Sequence, residues 1–296
     1  MGDPSGIGPE IIAKALPQLK NLAQFIIIGD KWVFNQTTDQ KFIDLKNVEH
    51  KKFRFGQVRS EYGRASIEYL DQALELLKNK EIDCLVTCPV SKEAVSLSGL
   101  KFNGHTEYLT KRTKTKDFVM MLLNDRLKIS LITQHIPINK VSRAITRKKI
   151  ISTVTLTYQA LKKLFSINNP RIVVCGLNPH ASDNGVIGSQ ENKTMKPVLK
   201  KFKYVTGPIS ADIAISLADK SKFDAVIVAY HDQALIPLKL TDKSSGVNLT
   251  LGLSFVRTSP LHGTAFDIAG TNSANPDSLI AAIKLAIKCT RSQKKV

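Results

Sequence analysis

The sequence predicts an α/β protein built on a mostly parallel sheet, and three observations lead there. A continuous apolar run bounded by polar residues stands at 225–230, and strand-like runs recur at 25–29, 127–133 and 171–177, as in strands buried on both faces. Between such runs lie stretches with apolar positions three and four residues apart, clearest in 61–78 (EYGRASIEYLDQALELLK), the mark of an amphipathic helix. Just past three of the runs comes a histidine: His135, His180 and His231. In open α/β sheets the carboxyl edge of the strands is where ligands bind.

The elements follow in order. Three glycines and two prolines fall within Gly2-Asp3-Pro4-Ser5-Gly6-Ile7-Gly8-Pro9-Glu10 and dictate a rigid turn, with a helix from Pro9 to about residue 19. The turn either holds an anion on its N–H groups or is structural; it lacks a Walker lysine, and no strand stands before it. A strand at 25–29 is followed by a polar, irregular stretch at 31–58, then the helix 61–78. A strand at 84–87 runs through Cys88-Pro89 into a helix that Ser91 is placed to cap. Gly104-His105-Thr106-Glu107 reads equally as an anion site and as a helix start capped by Thr106. Runs 118–123 and 127–133, joined through Asn124-Asp125, form a hairpin. A helix at 148–165, the strand 171–177, a turn-rich loop at 178–185 and helices at 188–202 and 210–220 come next. Beyond the strand 225–230 polar groups accumulate: His231, Asp232, Gln233, Lys239, Asn248, Arg257 and His262-Gly263-Thr264. A helix at 277–291 and a basic end, Lys294-Lys295, close the chain.

Bulk properties narrow the class. At 296 residues the chain suits one large domain or two lobes. No apolar run reaches the ~18 residues that cross a membrane, and no basic-then-apolar leader opens it, so a cytoplasmic enzyme is expected. The four cysteines show no zinc-ribbon spacing and read as free thiols of a reducing compartment. The net charge of +18 is spread over dispersed lysine pairs without interleaved aromatics. That pattern argues against nucleic acid as a partner and favours a small anionic ligand.

Three neutral imidazoles with a fourth position open are a common catalytic zinc arrangement. If the three strands are parallel neighbours, or meet across a subunit interface, the rings converge. The alternative is that each histidine bonds its own loop; the spacings of 45 and 51 residues match no compact metal motif.

The segments GDPSGIGPE, CPVSKEA, FNGHTEYL, CGLNPHA, AYHDQALIPLK, GVNLTLGL and FVRTSPLHGTAFDIAG, in that order from residue 2 to about 290, resemble the 4-hydroxythreonine-4-phosphate dehydrogenase family of the pyridoxal phosphate pathway. HGTAFDIAGTNSANP and the opening segment also resemble the isocitrate and isopropylmalate dehydrogenases, which bind NAD without a Gly-x-Gly-x-x-Gly fingerprint. The resemblance implies an isopropylmalate-dehydrogenase-like fold: two α/β/α lobes, 1–112 with 258–296 and 113–257, and an active site in the cleft between them. It implies metal ligands at His135, His180 and His231 and substrate contacts at His105, Thr106, Lys239, Asn248 and Arg257. A cofactor loop from His262 to Asn275 follows, with Gly263 and Ala265 near the adenine. It further implies a homodimer that shares each metal, zinc first and magnesium or cobalt as alternatives, with NAD or NADP as hydride acceptor. The implied reaction oxidises 4-phosphohydroxy-L-threonine to a β-keto acid that loses carbon dioxide to give 3-amino-2-oxopropyl phosphate. A sister dehydrogenase of a threonate or erythronate phosphate is the nearest alternative. Asp232 is the candidate proton acceptor, or else orients an imidazole. Gln190-Glu191 replaces an expected acidic pair, Cys88 stands where relatives carry another small residue, and Thr271-Asn272 stands where they often carry Lys-Gly, which leaves NAD against NADP open.

Overall fold

The structure is a computed structural model that describes residues 1–242 and 245–294. Lys295 of the expected basic end lies outside the described residues. The chain divides into two compact units, Met1–Lys114 with Phe255–Ile287, and Thr115–Ser254 with the chain end from Lys288. Among the described residues the strands are β1 (Ile26–Gly29), β2 (Lys41–Asp44), β3 (Cys84–Val86), β4 (Val119–Leu123), β5 (Lys128–Leu131), β6 (Ile172–Cys175), β7 (Val205–Ile209), β8 (Ala225–Val228), β9 (Val247–Leu251) and β10 (Val256–Pro260).

In the first unit β1 pairs parallel with β2, and β3 parallel with β10, setting Leu85 opposite Arg257. The helix Ser60–Lys78 buries Tyr62, Ile67, Leu70, Ala73 and Leu76 on one face, as its periodicity requires. It crosses the short helix Lys92–Leu97 at Gly63, where a Cβ would stand 2.1 Å from the Ala94 carbonyl oxygen. Ser91 caps that second helix as expected, its Oγ accepting from the Ala94 N–H at 3.1 Å. The opening helix is shorter than expected. It runs Gly8–Ala15 and tightens into a 3-10 turn, Leu16–Gln18, because Pro17 has no N–H to continue the ladder. The stretch 31–58 is more ordered than its polarity suggested. It holds a short helix, Lys31–Phe34, and β2, and an aromatic cluster fixes it, with Trp32 edge-on to Phe53 at 5.0 Å and Phe53 edge-on to Phe55 at 4.9 Å.

In the second unit the strand order is β9-β4-β5-β8-β6-β7. The pairs β4/β9 and β4/β5 are antiparallel, and β5/β8, β8/β6 and β6/β7 are parallel. The expected β4–β5 hairpin forms because Asn124 Oδ1 accepts from the N–H groups of Arg126 and Leu127, at 3.0 and 2.8 Å; a short amide side chain bonding its own turn is a standard turn former. All residues of β4, β6 and β8 are buried. Ile150, Val154 and Leu161 of the helix Arg147–Lys163 pack against Ile172, Val174 and Ile227. The helix expected over 188–202 resolves into a π-helical turn, Glu191–Met195, and a short helix, Lys196–Leu199. No described helix is long and apolar enough to cross a membrane.

Candidate active site

The strands β5, β8 and β6 lie side by side and parallel, so their C-terminal ends share one edge. His135, His231 and His180 follow those ends. Two hydrogen bonds join the first pair of segments: Thr133 donates from its N–H at 3.1 Å and its Oγ1 at 2.6 Å to the Ala229 carbonyl. The His135 and His231 rings stand 5.5 Å apart between centroids. His231 opens the helix His231–Thr241, and its Nδ1 is 2.7 Å from Asp232 Oδ1. That contact commits Nδ1 and leaves Nε2 to ligate, the tautomer arrangement that carboxylate partners impose on metal-binding histidines.

His180 behaves differently. It is exposed, and it starts a run of five non-glycine residues, His180 to Asn184, with φ between 43° and 73°. Each residue in that region is disfavoured for an L amino acid. Among the described residues no group of three or more His, Cys, Asp or Glu side chains forms a metal cluster. The structure therefore brings two of the three expected imidazoles together. Those two fit half of a tetrahedral nitrogen set for a divalent metal.

In the first unit the anion-binding candidates are buried. Arg257, the second residue of β10, is only 1% exposed, and its Nη2 donates to Thr87 Oγ1 at 2.6 Å. Burial pushes its pKa down to about 10, with Glu107 pulling the other way, so it stays cationic at neutral pH. Burial first, then the positive charges of Arg257 and Lys92, hold His105 well below the ordinary imidazole range. Its Nε2 is buried without a hydrogen-bond partner. Thr106 is buried in the first turn of the helix His105–Arg112, where Gly104 occupies the N-cap position with no side-chain cap; the capping reading of Thr106 is thus replaced. A buried guanidinium beside a neutral imidazole with an unused nitrogen suits an oxygen-rich anion.

In the second unit Lys239 is exposed in the last turn of the helix His231–Thr241, and Asn248 lies in β9 with a buried Oδ1 that has no partner. The loop from His262 to Asn275 belongs to the first unit. His262 Nδ1 is 3.1 Å from the Gly263 carbonyl, while its Nε2 is buried without a partner. Ala265 has φ 44°. The opening turn and first helix hold this loop. Ile7 N–H donates to the Thr264 carbonyl at 3.0 Å, Ala274 N–H to Glu10 at 2.7 Å, and Lys14 to the carbonyls of Asn272 and Ala274 at 2.8 and 2.9 Å. Asn275 Oδ1 accepts from Asp277 N–H at 2.7 Å, which commits that oxygen to the start of the last helix. Thr87, Glu10 and Lys14 were not singled out from the sequence. Glu10 and Lys14 sit one helical turn apart beside the glycine-rich opening, and that spacing was the one available signal.

A family profile described as pyridoxal phosphate biosynthetic protein PdxA matches residues 8–286. A 4-hydroxythreonine-4-phosphate dehydrogenase of Sulfurihydrogenibium sp. (strain YO3AOP1) is 41% identical over 317 residues, covering 99% of this chain and 98% of its own length. A Fusobacterium nucleatum protein provisionally named D-threonate 4-phosphate dehydrogenase is 33% identical, covering 100% of this chain and 97% of its own. The crystal structure of 4-hydroxythreonine-4-phosphate dehydrogenase from Klebsiella pneumoniae superposes with a TM-score of 0.89 at 32% identity, covering 98% of this chain and 96% of that one. Isocitrate dehydrogenase from Methylococcus capsulatus, at 11% identity and a TM-score of 0.50, shares the fold alone.

Proposed function

The chain belongs to the PdxA family of pyridoxal phosphate biosynthetic proteins, and from that premise we propose that it is a 4-hydroxythreonine-4-phosphate dehydrogenase. It oxidises 4-phosphohydroxy-L-threonine to a β-keto acid, which decarboxylates to 3-amino-2-oxopropyl phosphate. The single observation that carries this reading is a 41% identical dehydrogenase of that name matched over 99% of the chain.

In this reading a divalent metal, zinc first, would lower the pKa of the substrate hydroxyl while NAD or NADP accepts the hydride. The chain's own residues do the rest. Arg257 offsets phosphate or carboxylate charge from a fixed position, because Thr87 holds one arm of its guanidinium. His105 and Thr106 add neutral donors, and Lys239 and Asn248 are the further substrate contacts. Asp232 orients His231 through Nδ1; a carboxylate held against an imidazole suits orientation better than proton abstraction. The loop from His262 to Asn275, with Gly263 and Ala265, receives the adenine.

The metal site is shared between two copies of the chain. Support comes from the pairing of His135 with His231 while His180 faces solvent. Exposed apolar side chains flank both places: Ile138 is 68% and Val186 83% exposed, as a self-complementary contact surface would require. A cytoplasmic location agrees with the four cysteines being free thiols.

The relative named for D-threonate 4-phosphate keeps one second reading alive, a phosphorylated four-carbon hydroxy acid as substrate. Purified protein with zinc and NAD, given each substrate in turn, separates them by NADH absorbance. Turnover of the phosphorylated hydroxy-amino acid is expected; turnover of threonate phosphate alone transfers the assignment, and inactivity on both with either dinucleotide sinks it.

A further inference from the structure

The loop that carries His180 is a strained piece of backbone, and something must hold it. Five consecutive non-glycine residues with positive φ do not persist unless their surroundings over-determine them. The anchor lies immediately before them. Glu191 is fully buried, and its carboxylate accepts from the Leu177 N–H, the Asn178 N–H and Asn178 Nδ2, all at 2.8 Å. Asn178 Nδ2 also donates to Gln190 Oε1 at 2.9 Å, and Gln190 Nε2 to Ser142 Oγ at 2.7 Å. A buried carboxylate is costly unless its lone pairs are met, and here they are spent on the two residues that launch the His180 turn.

A second amide joins that launch point to the His231 segment. Gln233 Oε1 accepts from the Ala229 N–H at 2.9 Å, and Gln233 Nε2 donates to the Gly176 carbonyl at 3.1 Å. Ala229 is the residue whose carbonyl takes both bonds from Thr133, two residues before His135. A continuous polar chain therefore runs Thr133–Ala229–Gln233–Gly176, with Glu191 gripping the next two residues. It crosses all three strand ends that deliver histidines.

The geometry points to Glu191 and Gln233 as positioning residues for metal binding: they fix the backbone from which His180 and His231 are presented, without touching the ion. This rests on the histidine reading of the site given above. Neither residue is a ligand, and neither contacts substrate or dinucleotide in that reading. Their loss should therefore weaken metal affinity while leaving the KM values at saturating metal in place.

The test uses the full chain and zinc alone, with affinity measured by competition against a chromogenic chelator. Glu191→Gln keeps the size of the side chain and loses one acceptor oxygen. It should bind zinc about 10–100-fold more weakly, the range seen when partners behind metal ligands are removed, with the KM for substrate and dinucleotide unchanged at saturating zinc. Gln233→Met should act in the same direction, and it decides the matter if Glu191→Gln does not give a cooperative thermal melt. His180→Ala is the control. If His180→Ala loses zinc affinity while the deciding variant binds as wild type does, the positioning role is overturned. If that variant also raises both KM values at saturating zinc, the effect is general disorder and the role is equally overturned. If His180→Ala itself binds zinc normally, the histidine reading fails first and this proposal falls with it.

Discussion

At the scale of single residues, a neutral imidazole and a cationic guanidinium, both buried, are the proposed anion-binding pair. His105 is kept unprotonated by burial and by the charge of Arg257, and that has a thermodynamic consequence. In the unfolded chain a histidine takes up a proton near pH 6.5; in the folded protein this one does not until well below that. The unfolded state therefore binds more protons as pH falls through 6.5, and stability drops by about 1.4 kcal/mol per pH unit until the folded-state pKa is reached. Thermal melts of wild type and His105→Gln from pH 7 to 5 should diverge, with the variant losing less; parallel curves would mean that His105 titrates normally. Arg257 makes the complementary case. Replacing it with Met removes a desolvated charge of the kind whose loss costs a complex ~2–5 kcal/mol, so the KM of the phosphorylated substrate should rise at least about 30-fold. Arg257→Lys should not restore it, because a point charge cannot both hold Thr87 and present a planar fork. Stability should fall as well, since Arg257→Met strips Thr87 Oγ1 of its donor and removes the charge that Glu107 faces. Steady-state kinetics and a melt on each variant check both halves.

Helices and strands show how much of the fold the residues announce and where they fall silent. β4, β6 and β8 were legible because each is buried throughout and apolar throughout. β10 is equally buried, yet it reads Val-Arg-Thr-Ser-Pro, and a strand whose buried positions are polar carries no hydrophobic signature. β7 is hidden by Gly207-Pro208, residues that argue against a strand on propensity alone. The helix that starts at His231 contains Pro237 and escaped the periodicity test for the same kind of reason. The site splits similarly: the histidines and Arg257 stood out as polar groups past apolar runs, whereas Thr87 is recognisable only once its partner is in place, and Glu191 stood out only as a departure from an expected acidic pair. Gly63 is a position where the element-level argument can be tested. An alanine there would gain roughly 1 kcal/mol of helix propensity, but its Cβ would sit 2.1 Å from the Ala94 carbonyl oxygen. Both atoms belong to packed backbone, so the two helices must separate, at a cost of about 1–3 kcal/mol or more. We expect Gly63→Ala to lower the melting temperature by several degrees; an unchanged or raised value would mean that the crossing of the helices Ser60–Lys78 and Lys92–Leu97 is looser than described.

Assembly is where the histidine reading meets its most direct trial. One chain pairs the rings of His135 and His231 and leaves His180 exposed on a separate, strained turn. If the third nitrogen comes from a partner subunit, two variants that are each inactive must complement one another. His180→Ala retains the pair and lacks the donated ring; His135→Ala lacks a member of the pair and retains the donated ring. In a mixed dimer one site collects both defects and the other collects none. Random exchange of equal amounts makes half the dimers mixed, so the mixture should recover about a quarter of wild-type turnover in a two-fold symmetric assembly. A site completed within one chain predicts no recovery, because every copy would carry one damaged site. The same experiment speaks to the exposed apolar residues beside these turns. Changing Val186 to Asp should block exchange by burying a charge in the contact, and recovery should vanish while each parent chain still folds. Recovery that persists with Val186→Asp would move the interface elsewhere while leaving the shared metal intact.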